Sequence, residues 1–362
     1  MPLDIGGGNS TSIVEESYAK LKEHLGIGEP VRYLGESFRI IRVDEAVQRR
    51  LGCCCVPINA GAPPVSEPQP TPDTRVDAWG ITWKQLWYSD EGYYWEPCGH
   101  PLANAELADL EKHSWPDPEH PAISAGLAEE VRRLHEESDC AIMADPVFKS
   151  LWEVAYMLRG FEQMMMDLVV DPAFADALLS KILEINITAT GRFLDAVGGH
   201  IHVLRTADDL ATQKGLLMSR NMFRERLMPY YKKYFDFVKS KTEAKIFYHS
   251  CGNVTNLIDD LAEIGVDILN PVQVSAIGDT AELKRRVRGR MALWGGIDTQ
   301  HVLPQGSPGD VKEEVRRRIR DLASGGGYVA AAVHNIQADV PPENILAMAE
   351  AVREHGAYPL VA

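Results

Sequence analysis

The sequence is short of cations, of cysteine and of long apolar runs, and each shortage removes a class of function. Lys and Arg number 37 against 52 Asp and Glu, a formal net charge of −15 over 362 residues. Phosphate backbones are bound by clustered cations, so this balance argues against a nucleic-acid partner. No stretch approaches eighteen uninterrupted apolar residues, so no membrane span is expected. The start, Met1-Pro-Leu-Asp-Ile-Gly-Gly-Gly8, has neither a basic n-region nor an apolar h-region. A cytoplasmic protein without a secretory signal is therefore expected. No G-x-G-x-x-G follows an early strand, and Gly6-Gly7-Gly8 precedes any strand, which disfavours a dinucleotide fold.

Six cysteines are too few for a disulfide scaffold. Cys53, Cys54 and Cys55 are consecutive, and residues that alternate across a strand cannot bridge their neighbours without strain. Their flanks, Leu51-Gly52 and Val56-Pro57-Ile58, suggest a short buried strand whose thiols pack as small hydrophobes. Cys98 and Cys140 are read the same way, with a soft-metal site at the triplet as the alternative.

What is present is ordinary for a globular enzyme: 45% apolar and 25% charged residues. Val14, Tyr18, Leu21 and Leu25 mark an N-terminal amphipathic helix. Residues 61–74 are Pro-rich and extended. Val76–Gly99 is rich in Trp and Tyr around a turn at Ser89-Asp90-Glu91-Gly92, a β-hairpin insertion. Its Trp79, Trp83, Trp87 and Trp95 either pack the hairpin to the body or wall an aromatic pocket. From residue 140 a rhythm sets in. Strand-like runs at 140–144, 201–204, 244–248, 266–269, 290–294 and 328–333 alternate with helix-length stretches at 148–166, 173–196, 219–240, 254–263, 279–287, 309–324 and 341–355. Asp171-Pro172, Ser219 and Pro341-Pro342-Glu343 are helix starts. Counting 52–58, seven strands appear, and an eighth is expected within 145–170. The pattern predicts an α/β chain folded as one (β/α)8 TIM barrel over residues 1–362, its excess length in a 61–135 insertion.

In such barrels the active site lies at the C-terminal strand ends. Here those ends are polar: Asp208-Asp209-Leu210 with Gln213, His249-Ser250-Cys251-Gly252-Asn253, Asn270-Pro271-Val272-Gln273, Gly295-Gly296-Ile297-Asp298, and His334-Asn335-Ile336-Gln337. Each has a plain alternative. Either aspartate can cap the next helix, Asn270 before proline suits a turn, and a lone histidine is often only hydrogen-bonded. The His249-x-Cys251 pair is harder to dismiss, because imidazole and thiolate both suit Zn²⁺. His334 is the candidate third ligand.

At these residues the chain resembles the uroporphyrinogen decarboxylase superfamily. The resemblance is carried by Ile246–Val254, Leu261–Gln273, Met291–Asp298 and Gly326–Asn344. It covers roughly 140–360, fits 1–60 loosely and 61–135 hardly at all. It implies a (β/α)8 barrel, in agreement with the strand count. The decarboxylase branch grips substrate carboxylates with an N-terminal Arg-Gln-Ala-Gly-Arg segment that is missing here, where Arg32, Arg39 and Arg42 sit in another context. The corrinoid-dependent methyltransferase branch shares H-x-C-G and holds zinc with that His, that Cys and a late Cys. His249 and Cys251 match. The late Cys is replaced, at its approximate place, by His334.

The resemblance implies methyl transfer between a small methylated substrate and a corrinoid (cobalamin) on a partner protein. The substrate would be an aryl methyl ether, a methylamine or similar. Zinc on His249, Cys251 and His334 would act as Lewis acid. Asp208, Asp209 and His334 are the candidate catalytic residues. Gln213, Tyr248, Asn270, Gln273, Trp294, Asp298 and Asn335 are the candidate substrate contacts. The alternatives are a decarboxylase, which predicts arginines at the mouth where only Arg205 stands, and a non-catalytic corrinoid- or partner-binding barrel. The acidic surface and the insertion suit either a homodimer or a corrinoid-protein interface.

Overall fold

Short aliphatic runs that alternate with helix-length amphipathic stretches favour parallel pairing through helical crossovers. In the computed structural model, which describes residues 1–28, 30–35, 39–65, 71–87 and 92–360, these runs form seven strands. They are β1 (Cys55–Asn59), β2 (Ala141–Asp145), β3 (Val203–Ala207), β4 (Lys245–His249), β5 (Ile268–Asn270), β6 (Ala292–Ile297) and β7 (Tyr328–Ala332). They lie side by side in chain order in one parallel sheet. Asp171 and Ser219 cap their helices with side-chain oxygens, as expected.

The sheet curls until its edges share one segment. The N–H of Asp4 bonds to the Ala330 carbonyl of β7 (2.9 Å), and the Leu3 carbonyl accepts from Cys54 beside β1 (2.9 Å). The eighth place is therefore held by the chain start. The eighth strand expected within 145–170 is absent: that stretch forms helices Trp152–Arg159 and Phe161–Val170, broken at Gly160. The reason is periodicity. The buried residues Trp152, Ala155, Leu158 and Arg159 recur at helical, not strand, spacing.

Strand alternation sorts the side chains. Cys55, Met143, Val203, Phe247, Ile268, Trp294 and Ala331 fill the lumen. Their neighbours Ile58, Ile142, Leu204, Tyr248, Leu269 and Leu293 face the helices. Two residues beyond the lumen layer, the same parity turns Asp145, Arg205, His249 and Asn270 inward at the mouth. The Gly-rich start enters this lumen. A Cβ on Gly7 would lie 2.6 Å from Cys55 Cβ, and one on Gly8 2.6 Å from Met143 Sδ, so only glycine passes here.

The thiols divide differently from expectation. Cys53 and Cys55 are buried, but Cys54 and Cys98 are exposed, because Cys54 precedes the strand and Cys98 lies on the insertion. That insertion is a three-stranded antiparallel sheet, Thr74–Val76, Thr82–Trp87 and Tyr93–Gly99. The expected turn falls on Ser89–Glu91, outside the described residues, as do residues 66–70 of the Pro-rich connection. Trp79 is buried and packs edge-on against Phe148 and Trp115. Trp87 is 56% exposed. Tyr94 reaches the barrel rim by donating to Gln337 Oε1 (2.6 Å).

Arg159 ties the insertion to the barrel. Its Nη1 donates to the Leu102 (2.8 Å) and Ala105 (2.7 Å) carbonyls, and its Nε to buried Asp167 (2.7 Å). Removing one partner of a buried ion pair strands the other. Arg159→Ala is therefore expected to cost roughly 3–5 kcal/mol, read as a lower urea midpoint. A midpoint unchanged from the parent would refute the clamp.

Candidate functional site

His249 ends β4 on its inward face, Cys251 follows in the next loop, and His334 lies just past β7. One ligand atom from each lies within 4.8 Å of the others. His249 Nε2 stands 3.6 Å from Cys251 Sγ, and the two imidazole rings are 5.3 Å apart. The tautomer of His249 follows from its neighbour. Asn270 Nδ2 donates to the Trp294 carbonyl (3.0 Å), which turns Asn270 Oδ1 toward His249 Nδ1. Nδ1 then carries the proton, and Nε2 offers a lone pair toward the thiol. Burial, then Arg205, pushes the His249 pKa down to about 3. Burial, then His249, does the same to His334. Both rings are thus neutral, the form that binds a metal. Burial, then Asp209 and Glu153, pushes the Cys251 thiol up, and a cation in the site would oppose that shift.

The loop carrying Cys251 is fixed on both sides. Asp209 Oδ1 accepts the Cys251 N–H (2.7 Å), and Gln273 Oε1 accepts the Gly252 N–H (2.7 Å). Gly252 has φ +84°, and a Cβ there would lie 2.5 Å from the Ala211 carbonyl, so glycine is required after the cysteine.

The other expected site residues disperse. Asp208 accepts from the N–H groups of Leu151 and Glu153 (2.7 Å each) and from Tyr231 OH (2.8 Å). It serves the start of helix Trp152–Arg159, an earlier helix and not the next one. Burial pushes its carboxyl up to about 7. Tyr248 faces the helix layer, packing on Tyr231 and Phe235, because strand alternation points it away from the mouth. Trp294 lies in the lumen beneath the rim, donating to Asp4 (2.9 Å). Gln213 is exposed at the tip of the small hairpin Ala211–Thr212 and Gly215–Leu216. Asp298 closes its own turn through Gln300 (2.7 Å) and His301 (3.1 Å). Asn335 holds the chain start, accepting from Ser12 (2.9 Å) and donating to Asn9 O (2.8 Å).

The mouth also contains a polar cluster around Arg205, whose partners the sequence left unmarked. Arg205 bonds Asp145 (3.3 Å) and Ser10 Oγ (2.9 Å from Nε), Lys149 pairs with Asp145, and Asn9 donates to Asp145 (2.5 Å). Burial alone would raise the Asp145 carboxyl, but the Lys149 and Arg205 charges hold it below its ordinary value. The Oδ1 atoms of Asn9 and Asn59 are buried without a partner among the described residues. Glu153 lies near Asp208 and Asp209, and burial first, then those charges, raises its carboxyl well above the usual range. A signal for Asp145 was its position one residue past the 140–144 run, on the same rim.

Residues 97–355 match the uroporphyrinogen decarboxylase (URO-D) family. The chain belongs to this family. It is 24% identical over 266 residues to a methylated-thiol–coenzyme M methyltransferase of Methanosarcina mazei, covering 72% of this chain and 66% of that protein. It spans just under two thirds of that relative's length. A uroporphyrinogen decarboxylase of Enterobacter sp. (strain 638) is 25% identical, with 74% of each chain covered. A solved methyltransferase structure from Methanosarcina mazei superposes with a TM-score of 0.65 at 20% identity, covering 98% of this chain and 94% of that one, and shares the fold. The family's named relatives thus include both methyltransferases and decarboxylases. Among the described residues no helix is long and apolar enough to cross a membrane.

Asp4, wholly buried, accepts from Gly7 (2.7 Å) and Trp294 (2.9 Å), and burial pushes its carboxyl from 3.8 up to about 6. The unfolded chain releases this proton at lower pH than the folded one. Between pH 4 and 6 the folded state therefore binds more protons, and stability falls as pH rises. Asp4→Asn is expected to flatten that fall, by on the order of 3 kcal/mol across the window. Urea unfolding at pH 4 and pH 7 tests it, and a variant with the parent's slope would contradict the assignment.

Proposed function

We propose that this chain is a corrinoid-dependent methyltransferase. It would move a methyl group between a small methylated substrate, such as an aryl methyl ether or a methylamine, and a corrinoid on a partner protein. His249, Cys251 and His334 would hold zinc. The observation that carries this reading is the convergence of those three donors at the barrel mouth. Two neutral imidazoles and a thiolate suit zinc and leave a fourth position for substrate. Zinc bound there supplies Lewis acidity to the heteroatom that carries or receives the methyl group.

The remaining work falls to the chain. Asn270 aims His249 Nε2, while Asp209 and Gln273 hold the Cys251–Gly252 backbone, so the donors are in place before substrate arrives. Proton handling at the leaving heteroatom is assigned to Asp209. Its carboxyl is raised by burial and lies near His334, whereas three donors already occupy Asp208. The methyltransferase relative supports the reaction class. The decarboxylase relative supports the rival reading, which needs free cations for substrate carboxylates. Of the three early arginines, Arg39 is paired with Glu15 and Arg42 with Glu130, while Arg32 is exposed. Arg205 is tied to Asp145 and Ser10.

Two measurements test the proposal. Purified protein is expected to contain stoichiometric zinc that is lost in Cys251→Ala. Methylcobalamin formation from cob(I)alamin and methoxyarenes or methylamines is expected to fall at least 100-fold in that variant. Metal-free protein with unchanged turnover in Cys251→Ala would overturn it. Asn270→Ala, which releases His249 Nδ1, is expected to weaken zinc binding by roughly 10- to 100-fold in a chelator competition. Unaltered affinity would remove Asn270 from the site.

A further inference from the structure

The end of the barrel opposite the mouth carries one of two dense basic runs in this acidic chain, the other being Arg316-Arg317-Arg318-Ile319-Arg320. Lys284-Arg285-Arg286-Val287-Arg288-Gly289-Arg290 places five cations in seven residues. Three of them are paired: Arg285 with Glu282, and Arg286 and Arg290 with the single carboxylate of Asp259. Lys284 and Arg288 have no carboxylate within ion-pair reach among the described residues. Lys284 is only 8% exposed, and its Nζ is met by the carbonyls of Gly326 and Gly327. Burial, then the charge of Arg288, lowers its pKa. The two carbonyls offset part of the cost of burying this ammonium beside a second cation, and a bound anion would offset more of it.

Space for such an anion exists. Lys284, Arg288 and Arg290 line a cleft of about 270 Å³ with Gly289, Met291, Ala292 and the loop Gly325–Gly327. A Cβ on Gly325 would lie 3.3 Å from Arg288 Nη2, and one on Gly327 3.7 Å from Lys284 Nζ. The glycines thus bring bare backbone against both cationic heads and keep side chains out of the cleft. All three have left-handed φ, from +67° to +82°, a conformation that L side chains rarely adopt. The cleft lies before β6 and β7, away from the ligand cluster at their other ends.

We propose that this cleft is a binding site for a tetrahedral oxyanion of the phosphate class, held by Lys284 and Arg288 over the Gly325–Gly327 loop. Arg288 supplies directional donors, Lys284 supplies a point charge, and the glycine backbone allows close approach. The site is independent of the zinc reading, and its test needs no turnover.

Isothermal titration of the full chain with inorganic phosphate, at constant ionic strength with chloride as the balancing salt, is expected to give saturable one-to-one binding. Arg288→Ala should weaken it at least tenfold, with circular dichroism and metal content unchanged. Lys284→Met provides a second variant with the same expectation. Arg133→Ala, a cation paired with Glu137 elsewhere on the surface, should leave binding intact. A parallel titration with glycerol 3-phosphate separates the two sources of this chemistry: tighter binding assigns the site to a phosphate monoester, and equal binding to free phosphate. Absence of saturable binding, or equal weakening by Arg133→Ala, would overturn the proposal.

Discussion

The closure of the sheet is the constraint on which the site depends. β4 and β7 are three places apart in strand order. In a flat sheet, three spacings of about 4.8 Å would separate them by about 14 Å. No single ion spans that gap. Curling and closing the sheet brings His249 and His334 to ring centroids 5.3 Å apart. The closure itself rests on a few backbone hydrogen bonds from Pro2, Leu3 and Asp4 to β7 and to Cys54. The first residues of the chain therefore help decide whether residues 249 and 334 can meet.

The same segment shapes the electrostatics of the mouth. After closing the ring it turns into the lumen and delivers Asn9 and Ser10 to Asp145 and Arg205. One side of the mouth thus becomes a compensated cluster, with two cations sharing Asp145. The other side holds the neutral imidazoles, the thiol and the carboxyls of Asp209 and Glu153. Burial acts on both sides with opposite outcomes, because it is offset by a nearby opposite charge only on the first. Asp208 and Asp209 show how local this is. Consecutive residues after a strand diverge, so one serves a helix start among the outer helices and the other holds the backbone of the loop that bears Cys251.

Seven strands and most of the helices were legible because hydrophobic periodicity is a local property. The convergence of His249, Cys251 and His334 was legible through the His-x-Cys spacing, the family resemblance and their common position at strand ends. Ring closure by the chain start was not, since Leu3 makes bridges too short to leave a strand pattern. Tyr248 was misplaced for a related reason. Its polar tip next to His249 suggests a site residue, but period-two alternation sends adjacent residues to opposite faces. Gln273 and Asn335 do lie by the site, yet they hold backbone there, and pairings across such sequence distances carry no local signal. Glu153 and Asp145 escaped because their weight comes from burial and neighbours, which the sequence does not display.

The amide at position 270 joins fold and chemistry in one side chain. Its Nδ2 must donate, because the Trp294 carbonyl it meets on the neighbouring strand β6 is an acceptor. Its Oδ1 must then accept from His249 Nδ1, which leaves the Nε2 lone pair free. A carboxylate of the same size would have no proton for the Trp294 carbonyl and would add a charge to a site already flanked by Asp209 and Glu153. An apolar residue would leave both the carbonyl and the imidazole N–H without a partner, in a place sealed from water. Only an amide satisfies an acceptor on one side and a donor on the other without net charge. Its orientation is set by backbone that the barrel holds rigid, so the protonation pattern of His249 is fixed by the fold and not by solvent.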